Sequence, residues 1–234
     1  MVAISQEVPE IRIVAFGASA GGLQALRPIF RGLACDGRTS YLIAHHLSPT
    51  HASSLPELVG ANSPLTVSAA CHGEILQPDH AYVCPPGFDM EVDDGRLRLI
   101  STPEVTATIA PSIDRLFRSM ASSGGEKAVV VVLSGSGRDG ASGADAIRKA
   151  GGIVIVQQPD EALQPGMPRA AIDAGVADLI GDSEEITAWL NTPALLERPL
   201  DPTGTAATVG TRAGAGVDAG GGTPTPRITG KGYD

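Results

Sequence analysis

The sequence predicts an α/β domain: a doubly wound, mostly parallel sheet with helices on both faces and one antiparallel hairpin. Three observations carry that expectation. Short β-branched and apolar runs alternate along the chain with stretches whose apolar positions recur at intervals of three and four. One run, AVVVVLS (Ala128 to Ser134), is apolar throughout, as a central strand covered on both faces must be. The segments FDMEV and RLRLI are separated by Asp94-Gly95, a tight-hairpin signal.

Each element follows from its residues. IRIVAF (Ile11 to Phe16) reads as the first strand and stops at Gly17. Leu23, Leu26, Phe30 and Leu33 then share one helical face, and Pro28 within that pattern is expected to kink or shorten the helix. YLIAHHL is a second buried strand, and Ser53 to Val59 a short helix started by Ser53 or Ser54. HAYVC (His80 to Cys84) is a strand preceding the hairpin. SIDRLFRSMA (Ser112 to Ala121) sets Ile113, Leu116, Phe117 and Met120 on one helical face. After the all-apolar strand, Ala141 to Ala150 is a helix closed by Gly151-Gly152, and IVIVQ (Ile153 to Gln157) is again strand. A helix around Pro168 to Ala174, a short strand at Ala177 to Ile180 and a helix from Ser183 to Leu190 complete the pattern.

The 234 residues fit one domain plus a tail. Residues 1–10 are expected to be an N-terminal extension, 11–195 the domain, and 196–234 a disordered Gly/Thr/Pro-rich tail, too poor in apolar side chains to offset its ordering entropy. A net charge of −9 without a basic stripe argues against nucleic-acid binding. No apolar run approaches the ~20 residues of a membrane span, and the first ten residues lack the pattern of a signal peptide. The 3 cysteines have no regular spacing and read as packing residues in a cytoplasmic chain.

In parallel sheets ligands bind at the carboxyl ends of the strands, and here three strand-end loops carry reactive side chains. Gly17-Ala18-Ser19-Ala20-Gly21-Gly22 has the G-x-S-x-G spacing that presents a serine on a sharp strand-to-helix turn. Backbone N–H groups at the following helix start face the same place and suit a developing oxyanion. His45-His46 ends the second strand. Asp139 is the one carboxylate of the Gly-rich loop SGSGRDG (Ser134 to Gly140). A serine, a histidine and an aspartate on one rim are the parts of nucleophilic acyl transfer. Their order, Ser, His, Asp, differs from that of α/β-hydrolases. The loop lacks the lysine of a P-loop and the register of a dinucleotide fingerprint, so a Rossmann-type oxidoreductase is the weaker alternative. No H-x-x-x-H or C-x-x-C pair supports a metal site.

These residues together resemble the catalytic domain of CheB-type chemotaxis protein-glutamate methylesterases. The matching stretches are GASAGG (Gly17 to Gly22), the strand-end HHL, YVCPPG (Tyr82 to Gly87), SIDRLFRSMA, LSGSGRDGASG (Leu133 to Gly143) and PGMPRAA (Pro165 to Ala171), in family order over about Ile11 to Leu190. The LSGSGRDG and PPG-x-D-M forms look closest to the methylesterase domains of methylesterase/methyltransferase fusions. The resemblance implies Ser19 as nucleophile, His46 as general base and Asp139 as the carboxylate orienting it; the family's catalytic imidazole immediately precedes an apolar residue, which selects His46 over His45. His45 stands where the family often has Gln, Ala20 where many members have a hydroxyl residue, and Ser136 where many have Met. The resemblance further implies oxyanion donors near Ala20 and Ser136, with Gly135, Gly137, Arg138 and Met167 as the neighbouring substrate-binding positions.

The activity so implied is hydrolysis of glutamate γ-methyl esters on a methyl-accepting chemoreceptor, releasing methanol, with glutamine deamidation as a further reaction in some members. No cofactor and no metal is implied. With the first strand at Ile11, the sequence is expected to carry no receiver domain, leaving constitutive activity or a separate regulatory or chemosensory partner. The alternative class is a non-catalytic adaptor of a chemosensory pathway that retains the fold.

Overall fold

The computed structural model describes residues 11–46, 53–102 and 110–192. The expected extension at 1–10 and tail at 196–234 lie outside the described residues, as does Leu47 of the HHL motif. Among these residues seven strands form one parallel sheet: β1 (Arg12–Ala18), β2 (Thr39–His45), β3 (Thr66–Ala69), β4 (His80–Val83), β7 (Ala128–Val132), β8 (Ile153–Gln157) and β9 (Leu179–Gly181). Their order is β3-β4-β2-β1-β7-β8-β9. The hairpin, β5 (Phe88–Asp93) and β6 (Arg96–Ser101), is a separate two-stranded sheet. Asp94 and Gly95 both take positive φ, 46° and 68°, as a two-residue primed turn requires.

Among the described residues six α-helices cover the sheet. α1 (Gly22–Gly32), α2 (Leu55–Gly60) and α6 (Ser183–Leu190) pack on one face, where Leu26, Ile29 and Phe30 meet Phe16, Tyr41 and Ile43. α3 (Ile113–Ser122), α4 (Ala141–Lys149), α5 (Gly166–Asp173) and the hairpin pack on the other, against Ala15, Val130, Val132 and Val154. Because β7 buries side chains on both faces, all five of its residues are buried, which is the origin of its unbroken apolar sequence.

The structure departs from the sequence-based expectation in several places. α1 runs through Pro28 to Gly32 instead of stopping there. Pro28 lies on the exposed face, and burial of Ala25, Leu26, Ile29 and Phe30 around it outweighs one missing N–H bond. β3 was not expected, because Thr66–Ala69 is an edge strand with no buried residue and hence no apolar alternation. Of the three cysteines, Cys84 is buried, whereas Cys35 and Cys71 are exposed and are not packing residues.

The chain turns outward in both directions from β1 and β7, so the switch point of the sheet lies between them. That crevice is where a parallel sheet presents its loops to a ligand. Gly17, near the end of β1, lets α3 come close: a Cβ there would collide with Ile113 Cγ2 and lie 3.2 Å from Phe117 Cζ. The start of α3 is thereby brought to the same rim.

Candidate active site

Ser19 sits on the turn between β1 and α1. Its N–H donates to Ser134 O at 2.9 Å, tying the turn to the end of β7, and Gly22 N–H donates back to Ser19 O at 2.8 Å. Gly21 closes the turn in the left-handed region, with φ 81°. His46 directly follows β2, and its N–H donates to Ala18 O at 3.0 Å, placing its ring beside Ser19.

A continuous hydrogen-bond chain results. His46 Nδ1 lies 3.1 Å from Ser19 Oγ, and His46 Nε2 lies 2.9 Å from Asp139 Oδ2. Asp139 is further held by the N–H groups of Ile113 (2.9 Å to Oδ2), Asp114 (3.0 Å to Oδ1) and Gly140 (3.0 Å to Oδ1). Burial pushes the Asp139 carboxyl up, but the bonds from His46, Ile113 and Asp114 outweigh it and hold the group below the usual carboxylate range. An ionised carboxylate only accepts hydrogen bonds. His46 Nε2–H is therefore the donor to Asp139, and in the neutral ring Nδ1 is left to accept the Ser19 hydroxyl proton.

The adjacent imidazole serves a different end. His45 Nδ1–H donates to His46 O at 2.9 Å, and its ring edge lies against Gly22 at the start of α1. Burial lowers its pKa below the ordinary imidazole value, only partly offset by the bond to His46 O. Neighbouring residues at a strand end point to opposite sides, so one histidine meets the serine and the other packs on the helix.

The remaining expected site residues fall into two groups. Ala20, Ser136, Gly137 and Arg138 are exposed on the rim. Among the described residues, the N–H groups of Ala20 and Ser136 have no hydrogen-bond acceptor, whereas Gly135 N–H is already engaged by Gln164 O at 2.9 Å. Gly135 and Met167 are buried beneath that rim. A Cβ on Gly135 would strike Met167 Sδ and lie 2.8 Å from Ser19 Cβ, so this glycine is the space through which the two loops approach.

Two further residues that carry no local sequence signal shape the site. Ser134 Oγ–H donates to Ala20 O at 2.8 Å, and Oγ accepts Gln164 N–H at 3.0 Å, joining three loops. Asp114 Oδ1 accepts the N–H groups of Gly140 (3.0 Å) and Gly143 (2.7 Å). Asp139 thus satisfies the first turn of α3, while Asp114 satisfies the first turn of α4, which has no cap of its own. The signals for both residues are long-range contacts, invisible in local spacing. Among the described residues no cluster of three or more His, Cys, Asp or Glu side chains is placed to hold a metal ion, and no helix is long and apolar enough to cross a membrane.

A doubly wound α/β domain with a serine–imidazole–carboxylate chain at its switch point has the architecture of a serine hydrolase. More specifically, the chain belongs to the CheB methylesterase family, whose model matches residues 14–190. It is 38% identical over 177 residues to a protein-glutamate methylesterase/protein-glutamine glutaminase of Myxococcus xanthus, covering 74% of this chain and 51% of that protein. It is 35% identical over 195 residues to that of the Rhizobium meliloti group 3 operon, covering 83% and 54%. The crystal structure of the Thermotoga maritima CheB methylesterase catalytic domain superposes with a TM-score of 0.72 at 27% identity, covering 78% of this chain and 98% of that one. The chain spans about half the length of the curated relatives it matches.

Proposed function

We propose that this chain is a serine hydrolase that demethylates glutamate γ-methyl esters on chemoreceptors, and that the same site deamidates glutamine. The observation carrying this reading is the hydrogen-bond chain from Ser19 Oγ through His46 to Asp139. The Ser19 Oγ attacks the ester carbonyl carbon as its proton passes to His46 Nδ1. Asp139 holds the ring and stabilises the imidazolium so formed. The N–H groups of Ala20 and Ser136 receive the oxyanion, a donor in that position being worth about 3 kcal/mol. Collapse of the tetrahedral intermediate expels methanol, which takes the proton from His46. A water molecule, deprotonated by His46, then attacks the acyl carbon, and as the second tetrahedral intermediate collapses the His46 proton returns to Ser19 Oγ and glutamate is freed. With glutamine the leaving group is ammonia, and the second half of the reaction is unchanged.

The exposed Arg138 and Arg169 are the local cations that would guide an acidic receptor segment to a chain whose net charge is −9. The receptor helices concerned are cytoplasmic, so this reading puts the chain in the cytoplasm. The test is methanol release from methylated receptor fragments. Ser19→Ala should lower it by at least about a thousandfold, as loss of a triad nucleophile does; release at the wild-type rate would overturn the reading.

A further inference from the structure

Asp89 is a buried carboxylate that the ester chemistry leaves unused. It lies on β5, in the hairpin sheet outside the main sheet, and is 7% exposed. Its Oδ1 accepts the Ser112 N–H at 2.7 Å, and its Oδ2 pairs with Arg115 Nε at 3.1 Å. Both partners belong to the start of α3. Ser112 is the N-cap of that helix, its own side chain accepting Arg115 N–H. The next two N–H groups, those of Ile113 and Asp114, are the ones that hold Asp139. One buried carboxylate is thus bonded to the turn whose next N–H groups hold Asp139.

The remainder of α3 does not depend on this contact. Its later turns are anchored to the hairpin by Val92 N–H on Ser119 Oγ (3.0 Å) and by Ser123 Oγ–H on Val92 O (3.1 Å), and to the core by Leu116, Phe117 and Met120. A carboxylate taken out of water at a packed junction adds little net stability compared with an apolar side chain of similar size. Its geometry is more informative than its stability: both oxygens are spent on the first turn of α3, next to the peptide groups that grip Asp139.

We propose that Asp89 is a positioning residue for the Ser19–His46–Asp139 chain, setting the start of α3 and, through the Ile113 and Asp114 N–H groups, the angle at which Asp139 meets His46. The kinetic part rests on the ester-hydrolase reading; the geometric part does not. The bond that matters is the one to Ser112 N–H, so an acceptor at the same place suffices without the charge.

Two readouts on the full chain test this: kcat and KM for a small activated ester, and the low-field proton NMR resonance of His46 Nε2–H, which reports its bond to Asp139 without turnover. Asp89→Ala should lower kcat by about ten- to a hundredfold with KM unchanged, since displacements near 1 Å cost rates of that order, and should shift the resonance. Asp89→Asn, which keeps the acceptor for the Ser112 N–H, should restore kcat to within about threefold of wild type and the resonance to its wild-type position. Wild-type kcat and an unmoved resonance in Asp89→Ala would overturn the proposal, as would an Asn variant as impaired as the Ala variant. Should Asp89→Ala not fold, Asp89→Glu keeps the charge and moves the carboxylate by one methylene; it should lose kcat and shift the resonance, and wild-type values of both would again overturn the proposal. A wild-type chain inactive on esters whose resonance still moves in Asp89→Ala would fail the ester reading and leave this one standing.

Discussion

Replacing Gly135 by alanine tests how the two active-site loops share space. The new Cβ would strike Met167 Sδ and lie 2.8 Å from Ser19 Cβ and 3.1 Å from Met167 Cγ. Carbon atoms pack at about 3.5–4.0 Å, so the gap to Ser19 is short by about 0.7–1.2 Å. Met167 is fully buried, so its side chain has no open space to swing into. Either Ser19 or the loop carrying the Ser136 N–H must move. Overpacking of this kind destabilises by about 1–3 kcal/mol, and a shift near 1 Å at a reacting centre costs about a hundredfold in rate. Gly135→Ala should therefore lose at least about a hundredfold in kcat on a small activated ester, with its Tm lower by roughly 2–4 °C per kcal/mol. Gly175→Ala is the control. Gly175 has φ 69° with nothing within 4 Å of a Cβ, so alanine there suffers about 1–2 kcal/mol of left-handed strain without touching the site. Its Tm should fall comparably while kcat stays at the wild-type value. Wild-type kcat in Gly135→Ala, or an equal activity loss in Gly175→Ala, would refute the reasoning.

Two further expectations concern stability. The folded-state pKa of His45 lies below 6.5, so as pH falls through 6.5 the unfolded chain takes up a proton that the folded chain resists, and stability drops until the folded value is reached. His45→Gln should shrink the stability difference between pH 7.5 and pH 5.5 in urea titrations; an unchanged difference would contradict the burial argument. Asp114→Ala removes the acceptor of the Gly140 and Gly143 N–H groups and should destabilise by about 0.5–2 kcal/mol, as loss of a helix cap does, with Asp114→Asn recovering most of it in thermal melts.

Much of the architecture can be read from local chemistry. The all-apolar β7, the Asp94-Gly95 hairpin and the 3,4-spaced faces of α1 and α3 each state their environment directly. The rule that loops gather at the carboxyl edge of parallel strands then brings Ser19, the His45-His46 pair and Asp139 to one rim before any contact is known. Between the two histidines the residues alone leave a choice. The two rings differ in which one the end of β2 turns toward Ser19, and that depends on the Ala18 O to His46 N–H bond across two strands. Ser134, Asp114 and Asp89 act through backbone groups 23 to 114 residues away in sequence, so no spacing announces them. Thr66–Ala69 escaped for the opposite reason: an edge strand with no buried side chain leaves no periodic trace.

In the proposed mechanism Ser19 is a nucleophile activated by His46. Reaction with a fluorophosphonate, followed by mass-spectrometric location of the adduct, tests it most directly. One adduct per chain is expected, on Ser19, formed at a rate that collapses in His46→Ala. An unlabelled chain, or an adduct on another residue, would contradict it and favour an adaptor that keeps the fold without the chemistry.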